Sequence, residues 1–307
     1  YLGAGVGLSI YRLLRHGRGA EEREAPPTRA DLPWLASAIA MGGIVAPVLL
    51  MSGLARSTAS SSALLLNLES LATMGIAWLV FRENVDRRLL AGALAILAGA
   101  VLLSWDGQGI SFGTGPVLVA AACLAWGIDN NLTSKISATD PVVITIVKGL
   151  VAGSVNVAIA LVSGGTLPAA GYILAAGVVG FLGVGVSLVL FILALRHLGT
   201  ARTGAYFSLA PFIGAVLAVA LLDEPITLRL LLSGILMGIG LWLHLAERHG
   251  HEHTHEALEH EHAHSHDDHH QHEHAGLVNE SHSHGHRHEP MNHSHVHYPD
   301  VHHRHPH

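Results

Sequence analysis

Eight long apolar runs leave this chain few architectures to choose from. A helix that crosses the hydrocarbon core of a bilayer needs roughly 20 mostly apolar residues. Such runs stand at about 32–54, 60–81, 89–105, 113–133, 141–163, 171–195, 200–222 and 228–246, and residues 1–14 read as the end of one more. Turn and breaker signals separate them, among them APPTRADLP (25–33), WDGQG (105–109), SATDP (137–141), SGGTLP (163–168) and DEP (223–225). The expectation is an all-α polytopic protein embedded in a lipid bilayer. Averages conceal this, because a mean hydropathy of +0.41 blends the runs with a tail of opposite character. All but three (His16, His197, His244) of the 26 histidines fall after Arg248. Cys123 is alone, so the chain forms no internal disulfide and no cysteine metal site.

Lys and Arg in short loops set orientation. If every run crosses, Arg12, Arg15, Arg18, Arg23, Arg29, Arg82, Arg87, Arg88, Lys135, Arg196, Arg202 and Arg248 share one side, and only Arg56 and Arg229 face the other. That bias assigns the loop over 12–31 and the histidine tail to the cytoplasm, with the bacterial inner (plasma) membrane as the expected location.

Shifted by 141 residues, the sequence aligns with itself without a gap over roughly 60 positions: Leu68 meets Leu209, Ala77 meets Ala218, Glu83 meets Glu224, Arg88-Leu89-Leu90 meets Arg229-Leu230-Leu231, Gly99 meets Gly240 and Leu102 meets Leu243. Five spans, an odd number, separate paired positions, so the two copies face opposite ways, as in secondary transporters whose site lies near the midplane. Tyr1 then corresponds to Val142, near the start of the second span of the later copy. The expectation is a ten-span fold of two inverted five-helix repeats, N-terminally truncated here to eight full spans plus part of one. The first repeat is 1–106, lacking its first span and part of its second; the second is 107–248; a disordered tail is 249–307.

The layout resembles the drug/metabolite transporter superfamily, EamA type. The resemblance is carried by GLARSTASSSALLLNLESLATMGIAWLVFRENVDRRLLAGALAILAGAVLL (53–103) and its counterpart ALRHLGTARTGAYFSLAPFIGAVLAVALLDEPITLRLLLSGILMGIGLWL (194–243), and it covers nearly all of 1–246. It implies a secondary exporter of small metabolites with both termini cytoplasmic. The family often carries a proline in the middle of the fourth helix; the second half keeps Pro211, whereas the first has Ser70, preceded by Glu69.

Glu69 is the costliest residue in the spans, because an ionised group near the midplane costs ~2.5–3.5 kcal/mol on insertion scales. Such a residue pairs, protonates or lines a wet cavity. Asp129, Asn130 and Asn131 stand near the end of one span, and Lys148, the one cation well inside a span, falls at a depth similar to Asp129 on the next, where the two can pair. In one reading Asp129 and Lys148 are a structural pair and Glu69 is a permanently protonated residue bonded to backbone or to Asn67. In the other, Glu69 lines the central cavity and carries protons inward as substrate leaves, with Lys148 neutralising it or binding a substrate carboxylate. Glu83 and Glu224, each with an Arg five residues on, read as interfacial ion pairs or helix caps. Gly177, Gly180, Gly183 and Gly185 read as close-packing positions, and Trp34, Trp78, Trp105 and Trp242 as an interfacial belt.

The tail lacks apolar periodicity and predicts disorder. Its histidines recur as H-x-H: His251, His253 and His255; His260, His262, His264 and His266; His282, His284, His286 and His288. In an extended chain, i and i+2 share a side, so neighbouring imidazoles can chelate one ion, and neutral imidazole suits Zn²⁺, Ni²⁺, Co²⁺ and Cu²⁺. Metal capture is the leading reading of the tail; a pH sensor is the other.

The leading function is proton-coupled export of small metabolites such as amino acids. A divalent-metal efflux system fed by the tail is the second, and a membrane-anchored metal sensor or buffer the third. No nucleophile–base pair or nucleic-acid motif appears, so neither an enzyme nor a nucleic-acid partner is expected. No cofactor is required, and the tail can bind divalent metal. The partners are lipid, a small-molecule substrate, protons and divalent ions, with a homodimer kept open.

Overall fold

The computed structural model describes residues 1–16, 24–80, 87–103, 113–245, 250–254, 258–264, 282–288 and 292–296. Through residue 245 the described chain is helical: α1 (Leu2–His16), α2 (Leu32–Ala38), a π-helical segment (Ile39–Val45), α3 (Ala46–Leu54), α4 (Ala59–Leu65), α5 (Leu68–Leu79), α6 (Arg87–Leu103), α7 (Thr114–Ile136), α8 (Pro141–Val162), α9 (Ala170–Gly180), a second π-helical segment (Phe181–Val186), α10 (Ser187–Leu198), α11 (Thr200–Phe207), α12 (Leu209–Leu222) and α13 (Leu228–Leu245). Helices suit these runs because they satisfy every backbone group within the segment. Among the described residues four stretches are long and apolar enough to cross a membrane alone: Leu32–Leu54, Ala59–Leu79, Pro141–Val162 and Ala170–Leu198. The chain is an all-α membrane protein.

The 141-residue shift reappears in the element boundaries. α3 and α10 begin at Ala46 and Ser187, α4 and α11 at Ala59 and Thr200, α5 and α12 at Leu68 and Leu209, and α6 and α13 at Arg87 and Leu228. Both π-helical segments end at matching positions, Val45 and Val186. Two spans read from the sequence as continuous, 60–81 and 200–222, are interrupted after Leu65 and after Phe207. Local bonding accounts for both breaks. At the first, Asn67 Nδ2 donates to Leu64 O at 2.9 Å and Ser70 Oγ donates to Asn67 O at 2.8 Å. At the second, Ser208 Oγ donates to Gly204 O at 2.9 Å, and Pro211 has no N–H to continue the ladder.

The chain divides into two compact units. One comprises Tyr1–Ala36, Thr133–His197 and His249–His305. Within it α1 lies on α8, α9 and the second π-helical segment, through glycines on both sides of the seam. A Cβ at Gly149 would stand 2.6 Å from the backbone nitrogen of Gly5, and one at Gly153 would stand 2.5 Å from that of Leu2. Gly180 and Gly185 also face α1, as expected, whereas a Cβ at Gly183 would meet nothing within 4 Å. At one end of this unit, Asp140 Oδ1 caps α8 by accepting from Val142 N (2.8 Å) and Val143 N (3.2 Å), while its other oxygen pairs with Arg12 at 3.0 Å. Buried Arg196 donates to Ser137 O, Thr139 O and both oxygens of Glu24. The tail contributes four short strands, β1 (Gly250–Thr254) antiparallel to β4 (Asn292–Val296) and β2 (Leu258–His264) antiparallel to β3 (His282–His288). The H-x-H alternation has the period of a strand.

The other unit comprises Ser37–Leu132, Leu198–Arg248 and Pro306–His307. Its core gathers Leu64, Leu65, Ile96, Ala100, Val119, Cys123, Ala215 and Met237. α6 and α13 pack along their length. A Cβ at Gly99 would meet Met237 and the carbonyl of Ser233, and one at Gly240 would meet Ile96 and the carbonyl of Gly92. Gly92, Ile96 and Gly99 are the 141-residue counterparts of Ser233, Met237 and Gly240, so each helix offers the other the same contact. A local two-fold relation produces that exchange.

Candidate substrate cavity

The break between α4 and α5 makes Glu69 a first-turn residue of α5, where the helix dipole favours a carboxylate. α7 supplies its partner: Asn130 Nδ2 donates to Glu69 Oε1 at 2.9 Å and to Thr73 Oγ1, one turn further along α5, at 3.1 Å. Asn131 Nδ2 donates to Thr73 O at 2.9 Å and to Gly127 O at 2.8 Å. Gly127 permits the approach, because a Cβ there would stand 2.7 Å from Ala72. Asn130 and Asn131 are both buried, so these amides are held by bonding rather than by solvent.

Beside Glu69 lies a cavity of about 260 Å³. Its walls are four pairs of repeat counterparts, Ala63 and Gly204, Leu66 and Phe207, Glu69 and Ala210, Ser70 and Pro211, together with Ser208 and Gly214. The two broken helices therefore face each other across it, and the carboxylate stands on one side only.

The sequence grouped Glu69, Lys148, Asp129, Asn67, Asn130 and Asn131. Of these, Glu69 lines the cavity, Asn130 holds it from behind, and Asn131 holds Thr73. Asn67 does not bond to Glu69: its amide nitrogen donates to Leu64 O, and its Oδ1 is a buried atom without a hydrogen-bond partner. The carboxylate's amide partner is Asn130, because the turn at Leu66 and Asn67 directs the Asn67 side chain back along α4. Asp129 is buried against Gly42, where any Cβ would collide with its carboxylate. Lys148 is buried on α8, 2% exposed, in the other unit. Neither Asp129 nor Lys148 is among the residues lining the cavity. Thr73, Phe207, Ser208 and Pro211 were not singled out as site residues. Three of these four were within reach of the 141-residue shift, since Phe207, Ser208 and Pro211 are the counterparts of Leu66, Asn67 and Ser70.

Glu224, in the loop after α12, caps a different helix: Oε1 accepts from Ala59 N at 2.7 Å and Oε2 from Ser60 N at 2.9 Å, at the start of α4. Hydrogen bonding from the Ser60 side chain, opposed by partial burial and joined by the two amides, holds its carboxyl below the usual range. Glu83, Trp105, His255 and His266 lie outside the described residues, as do the side chains of the other tail histidines. Among the described residues no three His, Cys, Asp or Glu side chains come together as a metal site.

An all-α bilayer protein in which two broken helices border a cavity, with one carboxylate among its described lining residues, is the class that this fold and site define. The chain belongs to the EamA-like transporter family, whose profile matches residues 2–105 and 113–246. It is a membrane transporter and not an enzyme. A relative from Methanothermobacter thermautotrophicus, described as an uncharacterized transporter, is 33% identical over 230 residues, 72% of this chain and 67% of the relative. A crystal structure 18% identical in sequence superposes with a TM-score of 0.58 over 79% of this chain and 84% of the other, a likeness of fold alone.

Proposed function

We propose that the chain is a proton-coupled exporter of small metabolites such as amino acids, with Glu69 as the group that exchanges a proton against substrate. The observation that carries this is the placement of Glu69, the one ionisable residue among the described residues of the cavity wall, within hydrogen-bond reach of Asn130. In this reading the fold is a ten-span pair of inverted repeats, supported by the matching helix boundaries and the reciprocal glycine contacts of α6 and α13. Both termini are cytoplasmic, in keeping with the loop charges and with the meeting of Arg12, Asp140, Arg196 and Glu24 at one end of their unit. The tail binds divalent metal through His251, His253, His255, His260, His262, His264, His266, His282, His284, His286 and His288. A second reading, export of Ni²⁺, Co²⁺ or Zn²⁺ loaded by that tail, is favoured by the histidine density alone.

Uptake into inside-out vesicles under an imposed pH gradient separates the readings, with full-length chain compared against a chain ending at Ala246 and against Glu69→Gln. Labelled amino acids accumulate with or without the tail and fail to accumulate in Glu69→Gln. Wild-type transport by Glu69→Gln with unchanged pH dependence sinks the coupling role. Metal accumulation that disappears with the tail reverses the ranking.

A further inference from the structure

We propose that Zn²⁺ closes the histidine tail into a hairpin in which each of two ions is held by four imidazoles, two from each strand. This rests on the reading that the tail binds divalent metal and names the partners that meet at each ion. Strand register carries it. β1 pairs with β4 and β2 with β3, and both ladders keep one register, running from Gly250 opposite Val296 to His264 opposite His282. In that register every histidine of β1 and β2 stands opposite another: His251 and His295, His253 and His293, His260 and His286, His262 and His284, His264 and His282. A slip of one residue in either direction would set all of them against other residue types. The opposite face agrees, since Glu259 stands across from Arg287, an opposite-charge pair. His293 and His295 join the set through their register alone.

Alternate residues of a strand share a face, so His260, His262, His284 and His286 stand on one face of the inner ladder, and His251, His253, His293 and His295 on one face of the outer. Facing residues of an antiparallel pair have Cβ atoms about 5 Å apart, and residues two apart along a strand are separated by about 7 Å. Imidazole nitrogen binds zinc at about 2.0–2.1 Å, and structural zinc is almost always tetrahedral with four ligands. Two neighbouring cross-strand pairs therefore complete one shell, whereas a single H-x-H supplies two ligands and leaves the rest to water. His264 and His282 add a further rung, so the inner ion can use either adjoining pair of rungs. Chelation within one strand would leave the tail open. A four-imidazole shell needs both strands, so metal binding and closure are one event.

Zn²⁺ titration of the full-length protein in detergent, with spin labels on Gly250→Cys and Val296→Cys, tests this; Cys123 is buried and stays unlabelled. Without metal, a flexible segment of this length holds its ends roughly 35–40 Å apart. As Zn²⁺ binds, that broad distance gives way to the short, narrow one of facing strand residues. Labels that stay apart while Zn²⁺ binds overturn the proposal. Ion counting gives the second arm. His260→Asn, His262→Asn and His264→Asn together remove one tight ion, and the same change at His282, His284 and His286 removes one. Both sets combined still remove only one, because the two strands share it. Loss of two ions in the combined variant means that each strand chelates its own; the proposal then fails while metal binding by the tail stands. If the full-length chain binds no more Zn²⁺ than the chain ending at Ala246, both fail.

Discussion

Asn130 gives one amide group to two acceptors, Glu69 Oε1 and Thr73 Oγ1, and so ties α7 to the first turn of α5. Asn130→Ala removes both bonds in a buried setting and lowers stability by about 1–3 kcal/mol, read as an earlier thermal transition in detergent. Glu224 acts at the same scale but in a loop. Its folded pKa lies below the ordinary value, so its contribution is complete above the ordinary carboxylate range and disappears as pH falls through the lowered folded value. Glu224→Gln therefore lowers the unfolding midpoint at neutral pH and flattens its dependence on pH across the acidic range; because the group is partly exposed, the loss is about 0.5–1 kcal/mol. A midpoint that tracks pH identically in wild type and Glu224→Gln counts against the cap. The oddity of Glu69 was legible from its apolar neighbours. Its bond to Asn130 was not, because nothing in the spacing of residues 69 and 130 says which face of α7 meets α5.

Helix boundaries were largely legible, since apolar run length and breaker residues determine where a bilayer helix can begin and end. The interruptions after Leu65 and Phe207 were not, because hydropathy averages over them while the cause is local side-chain bonding and a missing N–H. Helix packing belongs to this scale too. Between apolar helices in lipid, close approach rather than water exclusion holds the seam, so small residues carry it. Gly99→Val and Gly240→Val each force α6 and α13 apart, with an expected loss of about 1–3 kcal/mol. Because their contacts are reciprocal, the two substitutions act on one seam and their effects are less than additive. Gly171→Ala, where a Cβ would meet nothing within 4 Å, is the control and leaves the transition unchanged or slightly raised. Equal losses for all three variants would remove the special status of the seam.

At the scale of the whole molecule, the loop charges predict a cytoplasmic tail. Protease added to inside-out vesicles removes the histidine segment while leaving the helical part intact, whereas right-side-out vesicles protect it. Equilibrium dialysis adds the second prediction: full-length protein holds several Ni²⁺ or Zn²⁺ ions, and the chain ending at Ala246 loses most of them. Membrane class, the repeat and the charge asymmetry follow from the sequence alone, because the bilayer imposes one solvent rule on every residue and the duplicated pattern records itself in position. Which polar residues meet followed only from tertiary structure. Asn67, Asn130 and Asn131 look alike in the sequence, yet one turns back on its own helix, one holds Glu69 and one holds a backbone carbonyl. Rotation of each helix about its axis made those choices, and for α7 against α5 the close approach at Gly127, where a Cβ would stand 2.7 Å from Ala72, leaves room for that packing.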